Sequence, residues 1–482
     1  MTTATIAFVA CTLLMASIGL FAWARSRGGS ASDYLLADRS SGAWATALSG
    51  ASSDTSGWVV MGLIGIAFTT GVGTLWVVPA GWLGYALNWW LVAERLRRQS
   101  AMTDADTLPH LLSAGGATGG PTVRWLVRLV AAVVLVCFLT TYMSGQSLAS
   151  GKLISTSLGV TLDAGIWIAL ALVFPYLVLA GFRGVVWSDM AQATLILVAL
   201  LVVPTAALLN AGGLGSVLEM LRVEDPALAS FIGGRDGWSA VLFVVFWLSI
   251  GLAYPGQPHI LARFMAARSS QAISSGRLIA LSWFTIIVTM SVLTGVCARA
   301  AYAEIVDGAD SERVLPILAA ALLPGLAAGA ALAAVLAASI TTLNSQLFSV
   351  VSSLLADTSG LLRRPAPRLS GVVRTAVVLL VGAVASLLAT FAERDVFNVV
   401  LDSWSILGAA FGPAVIYTLW VRRSLSLVTL IGMVVGASSA MLLTAAGGEV
   451  RLAASVAAAA AAIAIAHAAI RLFDSSHHRT GA

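Results

Sequence analysis

Apolar residues fill the chain in long runs, most of them Leu, Val and Ala throughout, and polar residues gather in the short segments between them. A helix needs about 20 mostly apolar residues to cross a bilayer. Hydropathy marks thirteen such stretches, roughly 4 to 24, 43 to 69, 74 to 93, 125 to 149, 160 to 181, 186 to 210, 238 to 262, 278 to 301, 315 to 355, 371 to 392, 397 to 420, 425 to 446 and 452 to 472. The stretch from 315 to 355 reads as one long helix, with room for a short extracellular element at its front. The longest polar connections, near 98 to 122 and 211 to 237, are too short and Gly-rich to enclose a core of their own. The pattern predicts an all-α, polytopic membrane protein with about thirteen transmembrane helices, in a single membrane domain over residues 1–482.

Composition agrees. Of the residues, 59% are hydrophobic and 10% charged, with a mean hydropathy of +0.93, outside the range of soluble domains. The formal charge of +5 is unevenly placed. Arg25 and Arg27 follow the first apolar stretch, whereas a secretory signal is basic before it; Ala22 and Ala24 only imitate a cleavage site. The positive-inside rule then puts the N-terminus outside and, after thirteen crossings, the C-terminus in the cytoplasm. On that assignment Arg95, Arg97, Arg98, Arg263, Arg268, Arg277, Arg422 and Arg423 are cytoplasmic, and Glu219, Glu224, Asp225, Glu304, Asp310 and Glu312 face outward. The charge is an orientation signal for a bacterial-type inner membrane and implies no nucleic-acid site. Cys11, Cys137 and Cys297 sit inside apolar stretches as small hydrophobes, and the scattered histidines suggest no metal centre. No cofactor and no obligate protein partner are expected.

Four segments break the apolar pattern, and an unpaired polar group in hydrocarbon costs several kcal/mol. Ser49 to Trp58 places Asp54, hydroxyls and glycines midway through the second stretch. Such sequence lowers helix propensity and lets the chain unwind, exposing carbonyls to a cation and amides to an anion; close helix packing alone would not need Asp54. In Ala338 to Gln346, the Ala338 carbonyl lies three and four residues before Thr341 and Thr342, so three oxygens can meet on one helical turn. Hydroxyls bonding their own helix explain one such Thr but not a run of this length. At the end of the seventh stretch, Trp247, Tyr254, Pro255, Gly256, Gln257, Pro258 and His259 form either an aromatic wall at a kink or a plain helix end with interfacial aromatics. Asp189 and Asp402 are intramembrane acids; Asp189 serves as a helix cap or on a cation path.

These segments resemble the sodium:solute symporter family, most nearly its proline-transporting branch. The likeness begins at Asp33-Tyr34-Leu35-Leu36, runs through Asp54 to Trp58, Trp187 to Asp189, and Thr342-Leu343, and ends at Gly408 to Pro413. Its most specific block is Gly256-Gln257-Pro258-His259-Ile260-Leu261-Ala262-Arg263-Phe264-Met265-Ala266. The resemblance implies a LeuT-like fold of two inverted five-helix repeats, at 43–210 and 238–420, with extra helices at 1–42 and 421–482. It implies sodium bound by carbonyls of Ser52 and Thr55 with Ala338, Thr341 and Thr342, near Asp54, and Asp189 as a further candidate. The implied solute pocket is Trp58, Gly62, Tyr142, Tyr254 and Pro258, with Gln257 adjacent. Ile250 stands where the proline branch has a pocket tryptophan, Gln146 replaces an apolar residue, and the segment around Asp402 is usually uncharged in the family.

The expected function is therefore sodium-coupled uptake of a small amino acid, proline first. Its carboxylate would meet free amides near Trp58, while Trp58, Tyr142 and Tyr254 enclose its apolar body. Coupling by sodium or protons to another small carboxylate is the neighbouring alternative, and a solute sensor that does not transport is one of a different class. An enzyme would need a nucleophile with a base or a metal centre, and the sequence shows no such cluster.

Overall fold

The structure, a computed structural model, describes residues 2–25, 31–115, 120–306, 310–361, 371–391, 395–448 and 450–479. Among them the elements are helical, and the one β-type pairing is an isolated bridge between Ser41 and Ala267. Among the described residues ten helices are long and apolar enough to cross a membrane, and Thr3–Met15 and Leu162–Phe174 are shorter apolar helices.

The elements that position the site are α1 (Thr3–Arg25), α2 (Ala43–Asp54), α3 (Leu63–Thr70), α4 (Pro121–Leu158), α5 (Leu162–Asn210), α6 (Gly237–Leu252), α7 (Pro258–Met265), α8 (Ser270–Val306), α9 (Val314–Leu322), α10 (Gly325–Leu361) and α11 (Val396–Trp420). Helix α10 is the hub. It packs on α1, α4 and α5 and is buried along most of its length. The helix Arg451–Arg479 lies at the periphery, packed on α11 and on its neighbour Ser426–Ala446.

Three interruptions shape the interior. Helix α2 ends at Asp54, and the chain restarts in a wide turn over Trp58–Gly62 that leads into α3. A β-carbon on Gly57 would come within 2.5 Å of the Ala149 side chain and 2.8 Å of the Ser339 hydroxyl, so only glycine lets the broken strand of backbone approach α4 and α10 so closely. Helix α6 stops at Leu252 and α7 begins at Pro258, with a tight turn over Tyr254–Gly256. Pro255 and Pro258 supply no backbone donor there, which prevents one regular helix from running through. The stretches 160 to 181 and 186 to 210 are one helical run kinked at Gly181, whose φ of 60° and ψ of −159° suit glycine alone.

The stretch from 315 to 355 holds one long helix with a short helix at its front, the second of the two expected forms. Helix α9 ends at Leu322, and α10 starts at Gly325. Leu323 is extended, with φ −109° and ψ 147°, because the ring of Pro324 disfavours the helical conformation in the residue before it.

Candidate functional site

Two oxygen-bearing segments meet at the break after α2. The Thr341 hydroxyl donates to the Ser52 carbonyl at 3.2 Å and to the Ala338 carbonyl at 2.9 Å. The Thr342 hydroxyl donates to the Ser53 carbonyl at 2.9 Å and approaches the Ala338 carbonyl at 3.4 Å. All five residues are fully buried. The spacing in the sequence explains the α10 half, and the end of α2 supplies the rest, since the last carbonyls of a helix have no partner within it. Rotation of the two hydroxyl hydrogens away from these carbonyls would turn both hydroxyl lone pairs and the carbonyls toward one hard cation. The Ser53 carbonyl joins the contacts expected of this segment, and the Thr55 hydroxyl is buried without a partner.

Asp189 is buried inside α5, past the kink, so a role as a cap at a helix start is corrected. One of its oxygens accepts from the Ser49 hydroxyl at 2.6 Å and from the Arg263 guanidinium at 3.1 Å. Arg263 also donates to Ser345, which in turn donates to the Thr341 carbonyl at 2.7 Å. The buried acid thus has its own counter-ion, as a charge in low dielectric requires. Asp402 pairs with Arg451 at 2.7 Å.

Beside the break lies a cavity. Asp54, Trp58, Tyr142, Ile250, Tyr254 and Trp404 line it, with Val59, Val77, Gly81, Phe284, Val400 and Leu401. The rings brace one another. Trp404 sits edge-on to Tyr254 at 4.9 Å between centroids and to Tyr142 at 6.3 Å, and its indole donates to the Ile250 carbonyl at 3.1 Å. Tyr254 donates to Asp54 at 2.9 Å, and Tyr85 reaches the same oxygen at 3.4 Å. Asp54 therefore faces the cavity and takes no hydrogen bond from Thr341 or Thr342.

The expectation of free amides near Trp58 is corrected. The Gly57 amide donates to Gln146 Oε1 at 2.9 Å, and the Trp58 amide donates to the Ser56 hydroxyl at 3.1 Å. Side chains thus satisfy the exposed donors that open a helix. Of the expected pocket residues, Trp58, Tyr142 and Tyr254 line the cavity. Gly62 lies behind it, where a β-carbon would meet the Phe397 backbone at 3.2 Å. Gln257 is fully buried and ties α7 to α11 through the Trp404 carbonyl at 3.0 Å. Pro258 lines a separate cavity with Leu36, Asp106, Thr107 and Phe348. Sequence reading missed Trp404, Tyr85 and Phe284; a tryptophan next to an intramembrane acid was the one signal available, for Trp404.

One end of the cavity is held by an ion cluster. Phe397 stacks on Trp58 at 5.3 Å, and its amide, with that of Val396, donates to the Glu312 carboxylate at 2.9 and 3.1 Å. Lys152 of α4 pairs with both Glu312 and Asp310 and is itself 1% exposed.

Helices interrupted in mid-membrane around a closed set of rings, with oxygens of two segments converging beside them, define a solute transporter of the multi-pass helical kind. The chain belongs to the sodium:solute symporter family, whose model matches residues 34–436. It is 34% identical over 437 residues to the high-affinity proline transporter PutP of Bacillus subtilis (strain 168), covering 90% of both chains. It is 34% identical over 431 residues to the sodium/proline symporter of Escherichia coli (strain K12), covering 88% of this chain and 84% of that one. Its fold is similar to the substrate-bound outward-open state of a Na+-coupled sialic acid symporter, with a TM-score of 0.81 at 16% identity over 96% and 97% of the two chains. The fold is LeuT-like.

Proposed function

We propose that the chain is a secondary active symporter that couples inward sodium movement to uptake of a small amino acid, L-proline. The observation that carries this reading is the convergence of the Ser52, Ser53 and Ala338 carbonyls with the Thr341 and Thr342 hydroxyls beside an aromatic cavity. A dehydrated alkali ion is held by several oxygens at short range, and these come from two segments that belong to different repeats, 43–210 and 238–420, in the proposed inverted arrangement. Sodium bridging α2 and α10 favours one arrangement of the repeats, and solute binding then permits the exchange of access; each ligand shifts the equilibrium only by its differential affinity. The proposed sodium ligands are these five residues, with the Thr55 carbonyl retained from the family resemblance. Trp58, Tyr142 and Tyr254 are the proposed solute walls, and Gly62, Gln257 and Pro258 support them from behind. The N-terminus is proposed to lie outside and the C-terminus in the cytoplasm.

Ile250 in the cavity wall favours a second reading, in which a small carboxylate other than proline is preferred, because it replaces a pocket ring by a smaller side chain. Uptake of labelled proline into proteoliposomes tests both. Accumulation is expected under an inward sodium gradient and absent when the gradient is collapsed. Equal uptake driven by a proton gradient without sodium would overturn sodium coupling, and a panel of other small carboxylates ranks the substrate.

A further inference from the structure

We infer that the turn after α11 and the helix Ala93–Met102 together form a headgroup site for an anionic phospholipid, its phosphate held by Arg95, Arg422 and Arg423 and its acyl chain laid on Trp420. Trp420 closes α11 and is 44% exposed, as an aromatic ring at a membrane interface is. Its indole N–H donates to the Leu91 carbonyl at 3.0 Å, which fixes the ring across the start of the helix Ala93–Met102. The Arg95 guanidinium stacks on that ring, 3.6 Å from its centroid. Arg422 and Arg423 are exposed and follow Trp420 by two and three residues. Their turn is closed by the Ser424 amide on the Val421 carbonyl at 3.1 Å and anchored by the Ser424 hydroxyl on the Gly115 carbonyl at 3.0 Å.

These three cations lack an anion. Glu94, beside Arg95 in the chain, is taken by Arg277 and by Arg98 at 3.5 Å, and Arg97 donates to the Ala267 and Arg268 carbonyls. Among the described residues Arg95, Arg422 and Arg423 form no ion pair and donate no hydrogen bond, so their charges gather around one ring uncompensated. A guanidinium stacked on a ring keeps its N–H groups in its own plane, open to a phosphate that takes two of them at once. The surface beside them is apolar, with Leu91, Trp420 and Leu427 exposed by 37%, 44% and 45%. A phosphate carrying an acyl chain uses both halves of such a site, and basic pockets between helices bind anionic headgroups in this way. The consequence is mechanical, because α11 also carries Val400, Leu401 and Trp404 of the cavity wall. The lipid would hold the far end of that helix.

The test titrates the purified, delipidated full chain in detergent with phosphatidylglycerol or phosphatidylcholine of the same acyl chains and reads bound lipid by native mass spectrometry. The first phosphatidylglycerol should bind about tenfold more tightly than the first phosphatidylcholine. Arg95→Gln, and separately Arg422→Gln with Arg423→Gln, should each reduce that preference to about twofold or less. Arg98→Gln with Arg268→Gln removes two charges from exposed arginines of the same loops and should leave the preference intact. Phosphatidylcholine binding, unchanged in every variant, reports that the fold survives. The soluble arms are inorganic phosphate and glycerol 3-phosphate, which offer the charge without the chain and should not displace phosphatidylglycerol at equal concentration. Three results overturn the inference: no preference in the wild-type protein, an equal fall in the Arg98 and Arg268 variant, or displacement by the soluble phosphates. The first and last are read on the wild-type chain alone, so they decide even where a variant fails to fold.

Discussion

At the scale of single residues, the proposed sodium ligands and the proposed solute walls make separable demands. Each threonine hydroxyl offers one oxygen to a fully charged partner, a contact worth roughly 1.5–3 kcal/mol. Thr342→Ala should therefore raise the sodium concentration for half-maximal uptake about tenfold or more, with proline affinity at saturating sodium little changed. Sodium titration of initial uptake rates reads this, and unchanged sodium dependence would count against these ligands. Tyr254 donates to Asp54 and packs against Trp404. Tyr254→Ala should weaken proline binding more than sodium binding, measured side by side on the purified protein; equal losses would indicate misfolding. The α10 half of the oxygen cluster was legible because Ala338, Thr341 and Thr342 fall on one helical turn by spacing alone. The part played by the Ser53 carbonyl was not, because which carbonyl a partner meets depends on where the helix breaks, and that is set by packing such as that at Gly57. Gln146 is the sharper case. As a sequence it is a polar residue in an apolar helix, and only the fold shows that it satisfies an amide 89 residues earlier.

At the scale of elements, the breaks were legible and their joints were not. Prolines and glycine announced the turn between α6 and α7, as hydroxyl-rich sequence announced the end of α2. Pro324 carried the same information for the division between α9 and α10, yet the hydropathy of the surrounding run concealed it. Nothing local indicated that Glu312, just before α9, would accept both first amides of α11, which begin 84 residues later. That contact makes Lys152 a joint between α4 and the start of α11, where Phe397 stacks on Trp58. Removing one partner of a buried ion pair leaves the other uncompensated, at a cost of about 3–5 kcal/mol. Lys152→Met should therefore lower the melting temperature of the purified protein markedly. Lys152→Arg, which keeps the charge, should recover much of the loss, and wild-type melting in Lys152→Met would show that the cluster contributes little.

At the scale of the whole molecule, the distribution of arginines and acids is the feature the sequence carries most openly, because orientation depends on counts in short loops and not on packing. The helices agree with the apolar pattern in class and place, and differ mainly where two stretches join through Gly181 or one divides at Pro324. The proposed orientation makes opposite statements about two exposed positions: Val223, in the acidic segment after α5, lies outside, and Met102, among the arginines before α4, lies in the cytoplasm. With Cys11, Cys137 and Cys297 replaced, Val223→Cys should react in intact cells with a thiol reagent that does not cross membranes. Met102→Cys should react only once the membrane is opened. Both positions are strongly exposed, at 79% and 84%, so failure to react reports the side of the membrane and not burial. The reverse pattern would invert the molecule, and with it the direction in which sodium at the proposed site between α2 and α10 is released.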